Sequence, residues 1–354
     1  MNDPKQLEAQ FKPKELKVVT SDIQVLAARF SPCGRFLAGG DYEGKVRRWK
    51  AEGDGFDVLP SIEAQGSWIQ GLAFNKSGET IYEADTWGRL AAWKHAGEKP
   101  ERLWQVDAAH DGWIRDLAVS ADGTLLASGG ADKTVRVWNA ADGKPVKELK
   151  GDSADVYCVA FHADRKTLFS ADFKGTVRRW DLASGAVVKT YAAPLLTKSD
   201  RLQDIGGIRA MRLSDDGKTL YVGGTLPANG GNVQGVPTLL TFDVESGEQT
   251  KKVDLGAVGD VYVTDIVNHP AGFLMIASSG NPGQGKFHFL RPGDDKPFFM
   301  QSLSNVHSIG LHPGGKRFAV ATTNAGSNGN GRNLDKEGKY PANKSPIHIF
   351  DFPA

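Results

Sequence analysis

From Trp113 to Trp138 the chain passes through an alternating run, Ile114-Arg115-Asp116-Leu117-Ala118-Val119, and a small turn, Ser120-Ala121-Asp122-Gly123. A second short run and a second turn follow, and the segment Thr134-Val135-Arg136-Val137-Trp138 closes the unit. Period-two alternation puts successive side chains on opposite faces of a strand. The layout returns on both sides. Ile23 to Trp49 holds Phe30-Ser31-Pro32-Cys33-Gly34 and ends Lys45-Val46-Arg47-Arg48-Trp49, Trp68 to Trp93 holds Asn75-Lys76-Ser77-Gly78, and Val156 to Trp180 ends Thr176-Val177-Arg178-Arg179-Trp180-Asp181. Looser copies run from Ile208 to Phe242, Val261 to Leu290 and Val306 to Asp351, around Ser214-Asp215-Asp216-Gly217, His269-Pro270-Ala271-Gly272 and His312-Pro313-Gly314-Gly315. A period of about 40 to 45 residues without a long helical pattern predicts one four-stranded antiparallel sheet per copy, seven in all.

On these residues the chain resembles the WD-repeat β-propeller family, from about Lys17 to Asp351, although a Trp-Asp pair occurs only at Trp180-Asp181. The segments Ala108-Ala109-His110-Asp111-Gly112-Trp113-Ile114-Arg115, Ala171-Asp172-Phe173-Lys174-Gly175 and Asp204-Ile205-Gly206-Gly207-Ile208-Arg209 resemble more narrowly the WD-repeat proteins common in planctomycete bacteria. The expected fold is all-β, a single seven-bladed propeller over residues 15–354 behind an N-terminal tail, 1–14. Too few residues follow Asp351 to supply an outer strand, so the strand at 15–20 is expected to complete blade seven and close the ring.

Composition fits one large β domain. The 354 residues carry a net charge of +1, with 40% hydrophobic and 24% charged residues, which excludes disorder as the main state and argues against nucleic acid or an anionic membrane as partner. No window approaches the length of a membrane-spanning helix, and the start, Met1-Asn2-Asp3-Pro4-Lys5-Gln6, lacks the layout of a secretory signal, so a cytoplasmic protein is expected. Cys33 and Cys158 are expected to be reduced, and neither CxxC nor CxxCH occurs.

Three stretches exceed the period: 191–204 before blade five, 225–236 in its inner hairpin, and 324–344 in blade seven. They read equally as functional loops or as tolerated surface excursions. The resemblance implies a structural tetrad in blade three, His110, Ser128, Asp132 and Trp138. Its composition is that of a nucleophilic triad, but a hydroxyl pinned between strands cannot attack, and there is no Gly-x-Ser-x-Gly elbow. Glu43, Trp87 and Lys174 stand at the position of Asp132 in other blades, which are expected to lean on packing. His162, His269 and His312 share one repeat position and face apart, no stretch has metal-ligand spacing, and the Asn-Gly run from Asn324 lacks regular Asp, so no metal and no cofactor are expected. Arg47-Arg48 and Arg178-Arg179 are expected on a solvated outer face.

In the family the start of each first strand lines the top rim of the channel. Repeat alignment places Gln24, Leu26, Trp68, Gln70, Trp113, Arg115, Asp155, Tyr157, Arg209, Tyr262, Thr264, Asn305 and His307 there, and the top turns add Tyr42, Trp87 and Phe173. Large aromatics with Arg compose interface hot spots. The expectation is a non-catalytic scaffold, monomeric on its own, that binds a protein or peptide partner on this face. The alternatives are a propeller enzyme or small-molecule binder, such as a lactonase-like hydrolase using the channel, and a subunit of a permanent assembly.

Overall fold

The computed structural model describes residues 3–64, 66–200, 203–228, 234–324 and 344–353. Their strands form seven antiparallel sheets, one per repeat, arranged as the blades of a closed ring. Blade one is Val25–Phe30, Phe36–Asp41, Lys45–Lys50 and Asp57–Glu63, hydrogen-bonded in that order from the channel outward. Blades two, three, four and six repeat this plan, opening with Ile69–Phe74, Ile114–Val119, Val156–Phe161 and Tyr262–His269. Blade seven takes Ser308–Leu311, Arg317–Ala321 and Ser345–Asp351 from one end of the chain and Lys14–Ser21 from the other, paired from Lys14 opposite Asp351 to Ser21 opposite Ser345 with one slip between Glu15 and Lys17. The expected closure is therefore present.

Local chemistry explains the hairpins. In blade three the Ser120 hydroxyl and the Thr124 amide both donate to Asp122 Oδ1, and Gly123 takes a φ of +78°, a left-handed conformation glycine adopts without strain. A Cβ on Gly88 would lie 2.1 Å from the His110 carbonyl oxygen, so glycine there lets blade two approach blade three.

The blades bury their faces against each other. Ala127, Val135 and Leu149 of blade three meet Val156, Val159, Leu168 and Trp180 of blade four, and a phenylalanine-rich core, including Phe287, Phe289, Phe318 and Phe350, joins blades six and seven. The segment expected to be a tail holds a helix, Pro4–Phe11, capped by the Asp3 side chain, and the Phe11 ring lies 4.9 Å from Phe273 and 5.8 Å from Phe352. Blade five differs as well. Thr197–Asp200 adds a fifth strand inside Gln203–Leu213, and its hairpin strands lengthen to Thr219–Pro227 and Gly235–Asp243. The stretches at 191–204 and 225–236 are thus partly paired, while 201–202, 229–233 and almost all of 324–344 lie outside the described residues.

Candidate functional site

Six first strands share one irregularity. Their pairing slips between Val25 and Ala27, Ile69 and Gly71, Ile114 and Asp116, Val156 and Cys158, Ile208 and Ala210, and Val263 and Asp265. A bulge leaves one residue unpaired and re-aims its side chain. Those residues are Leu26, Gln70, Arg115, Tyr157, Arg209 and Thr264, and all six line a central channel of about 830 Å³ together with His307.

Around the mouth the aromatic and arginine side chains touch in sequence. Tyr42 stacks on Trp68 at 4.3 Å, and Trp68 meets Trp113 edge-on at 5.7 Å. The Arg115 guanidinium lies 4.2 Å from the Trp113 ring and 4.6 Å from Tyr157, and donates to Asp155 Oδ2 at 3.2 Å. Arg209 continues the row, 5.6 Å from Tyr157, 5.8 Å from Phe173 and 4.2 Å from Tyr262. Trp68 and Trp113 are 39% and 38% exposed, enough for a partner to cover them further. Trp87, the most exposed at 59%, stands apart with Arg89 5.1 Å from its ring. Two rim expectations do not hold as exposed groups: Gln24 is buried, and so is Asn305, whose amide ties Gly283 to Thr323 and Asn324. His307 bonds Thr323, and burial lowers its pKa to about 4, so it is neutral at physiological pH.

Lower in the channel, side chains clasp neighbouring blades. Asp116 accepts the Val159 amide, Asp265 the Ile309 amide and Ser308 the Ala28 amide, each from the next blade. Desolvation pushes Asp116 up to about 6, while Asp265 pairs with Arg29 at 2.9 Å. His162 and His269 make similar clasps to the carbonyls of Gly217 and Gly315. Among the described residues no group of three His, Cys, Asp or Glu side chains could hold a metal ion.

The tetrad residues meet inside blade three. Trp138 Nε1–H donates to Ser128 Oγ at 2.9 Å, Ser128 lies 2.7 Å from His110 Nε2, and His110 Nδ1 lies 2.9 Å from Asp132 Oδ1. Asp132 can only accept there, so Nδ1 carries the proton and Nε2 accepts from Ser128. Burial opposes the Asp132 carboxylate, but hydrogen bonds from His110, Thr134 and the Asp111 amide outweigh it and hold its pKa well below the usual range.

Two expectations need correction. Blade four does not rely on packing alone: Trp180 Nε1–H donates to Ser170 Oγ at 2.8 Å, Ser170 donates to Asp152 Oδ2 at 3.1 Å, and Arg178 joins Asp152 to Asp172. Asp152 stands where blade three has His110. Nor do the arginine pairs lie on a solvated face. Arg48 is 1% exposed, donating to the carbonyls of Pro60, His95 and Gly97 between blades one and two, and Arg47 pairs with the buried Asp41. Backbone carbonyls of two blades hold Arg48, while Arg47, Arg178 and Arg179 find carboxylates, partners that the pattern of a single strand does not reveal.

Residues 14–50, 102–139 and 143–181 match the family described as WD domain, G-beta repeat. Over 241 residues, 67% of its length, the chain is 26% identical to Transducin beta-like protein 3 of Rattus norvegicus, spanning 26% of that protein. It is 32% identical over 133 residues to Small ribosomal subunit protein RACK1z of Arabidopsis thaliana, covering 35% of the chain and 40% of the relative. Over 144 residues it is 29% identical to Apoptotic protease-activating factor 1 of Rattus norvegicus, covering 38% of the chain and 11% of the relative. The chain thus spans well under two thirds of each of these proteins. Each matched segment begins with the outer strand of one blade and ends with the third strand of the next, so the chain is a closed seven-bladed β-propeller with segments similar to WD-type repeats at these three places.

Proposed function

We propose that the chain is a non-catalytic scaffold that holds a protein or peptide partner on its top rim. The observation that carries this reading is the continuous row Tyr42, Trp68, Trp113, Arg115, Tyr157, Arg209 and Tyr262, in which bulges aim Arg115, Tyr157 and Arg209 and which is partly open to solvent. Such side chains bury much area at low rotamer cost. Gln70, Asp155, Phe173 and His307 border the row, and with Trp87, which stands apart from it, they belong to the same proposed surface. The names of the relatives support it, since one is a small ribosomal subunit protein and another a protease-activating factor. The blade-three tetrad is assigned to structure. Both cysteines are free thiols, which suits a reducing compartment such as the cytoplasm. Among the described residues no helix is long and apolar enough to cross a membrane. Kinship with planctomycete-type bacterial proteins rests on the three segments quoted above, whereas the relatives named here are plant and animal proteins.

The test is affinity capture with wild type beside a variant carrying Trp113→Ala and Arg115→Ala, followed by binding measurements on the purified partner. Loss of such anchors costs about 2 kcal/mol or more, a factor of roughly thirty in affinity, and the melting temperature should move by only a few degrees. If this pair leaves binding intact while loss of His110 or Asp132 abolishes it at unchanged stability, the division between surface and scaffold is wrong and catalysis in blade three must be reconsidered.

A further inference from the structure

Among the described residues, one rim arginine has no counter-ion. Arg209 is half-buried among Tyr157, Phe173 and Tyr262, makes no hydrogen bond or ion pair with the described residues, and its Nε is buried without a partner. Arg115, on the other side of Tyr157, also has a buried, unpartnered Nε, and among the described residues Asp155 alone pairs with it. Two guanidinium groups thus share the Tyr157 ring, and among the described residues the one carboxylate paired with either of them, Asp155, belongs to Arg115. Ring faces replace part of the hydration an arginine loses on burial, but they do not supply the charge-assisted hydrogen bonds a planar guanidinium is built to make.

We propose that Arg209, with Arg115 beside it, receives a carboxylate from an acidic residue of a peptide segment in a protein partner. This rests on the reading of the rim as a binding platform and names the chemistry of what it binds. Charge complementarity calls for an anion. A small free anion would leave the adjoining Tyr42, Trp68 and Trp113 row uncovered, whereas a peptide places apolar side chains on it. A continuous polyanion is disfavoured because Asp22, Glu43 and Asp111 stand exposed on the turns outside the mouth. The fitting segment therefore carries one or two acidic residues beside apolar or aromatic ones.

A random peptide library displayed on phage is panned on the full chain, and the recovered peptides are synthesised, labelled and titrated by fluorescence polarisation. The recovered sequences should pair Asp or Glu with aromatic or aliphatic residues. Replacing that acid by its amide, or Arg209 by Gln, should weaken binding about tenfold or more, and Arg209→Lys should restore part of it. Arg209→Gln should leave the melting temperature unchanged or raise it, because an unpaired buried charge is removed; a clear fall would mark Arg209 as structural and overturn the proposal. Peptides that lack acids, or that ignore Arg209→Gln yet fail on Trp113→Ala, overturn the carboxylate assignment and leave the platform standing. Peptides indifferent to both changes, or none recovered, overturn the platform as well. Tighter, Arg209-dependent binding of a labelled single-stranded oligonucleotide would overturn the peptide assignment in favour of nucleic acid.

Discussion

Glu83 occupies in blade two the place that Ser128 holds in blade three, facing Trp93 Nε1 at 3.4 Å with its second oxygen buried and unpartnered. Desolvation raises its pKa to about 8, with Asp85 adding to the shift against the Trp93 hydrogen bond. The folded protein therefore keeps a proton that the unfolded chain releases near the ordinary value of 4.5. Glu83 contributes its full stability below that value and loses it as pH climbs towards 8. Glu83→Gln removes this dependence, so its stability relative to wild type should grow between pH 5 and pH 8, as urea unfolding at the two pH values would show. A constant difference would mean that Glu83 is ionised in the fold. Ser128→Ala is the complementary change: it strips a partner from both His110 and Trp138, at about 1–3 kcal/mol for each buried group left unsatisfied, and should lower the melting temperature by several degrees.

At the scale of the element, the N-terminal strand and helix can be separated experimentally. Removing residues 1–12 takes away Phe11 and its contacts with Phe273, Phe298 and Phe352, which should lower the melting temperature while leaving a monomer. Removing residues 1–21 also takes away Lys14–Ser21 and leaves Ser345–Asp351 as an open edge. Soluble monomer should then fall sharply, as size-exclusion chromatography would show. A truncated ring that stays monomeric with an unchanged melting temperature would refute the closure. The strands and their order were legible because turn residues and alternation recur at a fixed period, and repeat alignment pointed to the channel-lining Gln70, Arg115, Tyr157 and Arg209 but also to Gln24 and Asn305, which are buried. What escaped that reading depends on neighbours in other repeats. Arg48 is buried by carbonyls of blade two, Asp152 substitutes for a histidine only because Arg178 stands beside it, and Asp116, Asp265 and Ser308 act on amides of the following blade. The helix Pro4–Phe11 was hidden for a similar reason, since its one anchoring ring packs on a core about 260 residues further along the chain.

For the whole molecule, the clasps between blades make stability a property of the ring. Asp265→Ala should cost more than Ser308→Ala, because it orphans the Ile309 amide and also takes the carboxylate from Arg29, leaving it the carbonyls of Ala28 and Ile309. Either change should shift a single cooperative transition and leave no separable blade, so calorimetry and tryptophan fluorescence should report the same midpoint. Two distinct midpoints would show that blades unfold independently. The strand that closes the ring also sets an order in time. Lys14–Ser21 leaves the ribosome before any blade exists, and its partner, Ser345–Asp351, is the last strand of the ring to emerge. At about 5–20 residues per second, roughly tens of seconds separate the two. Throughout synthesis the earliest strand is a sticky, unpaired end, and the propeller can lock only once translation has passed its final blade, so the nascent chain depends on chaperones or on its own solubility until then.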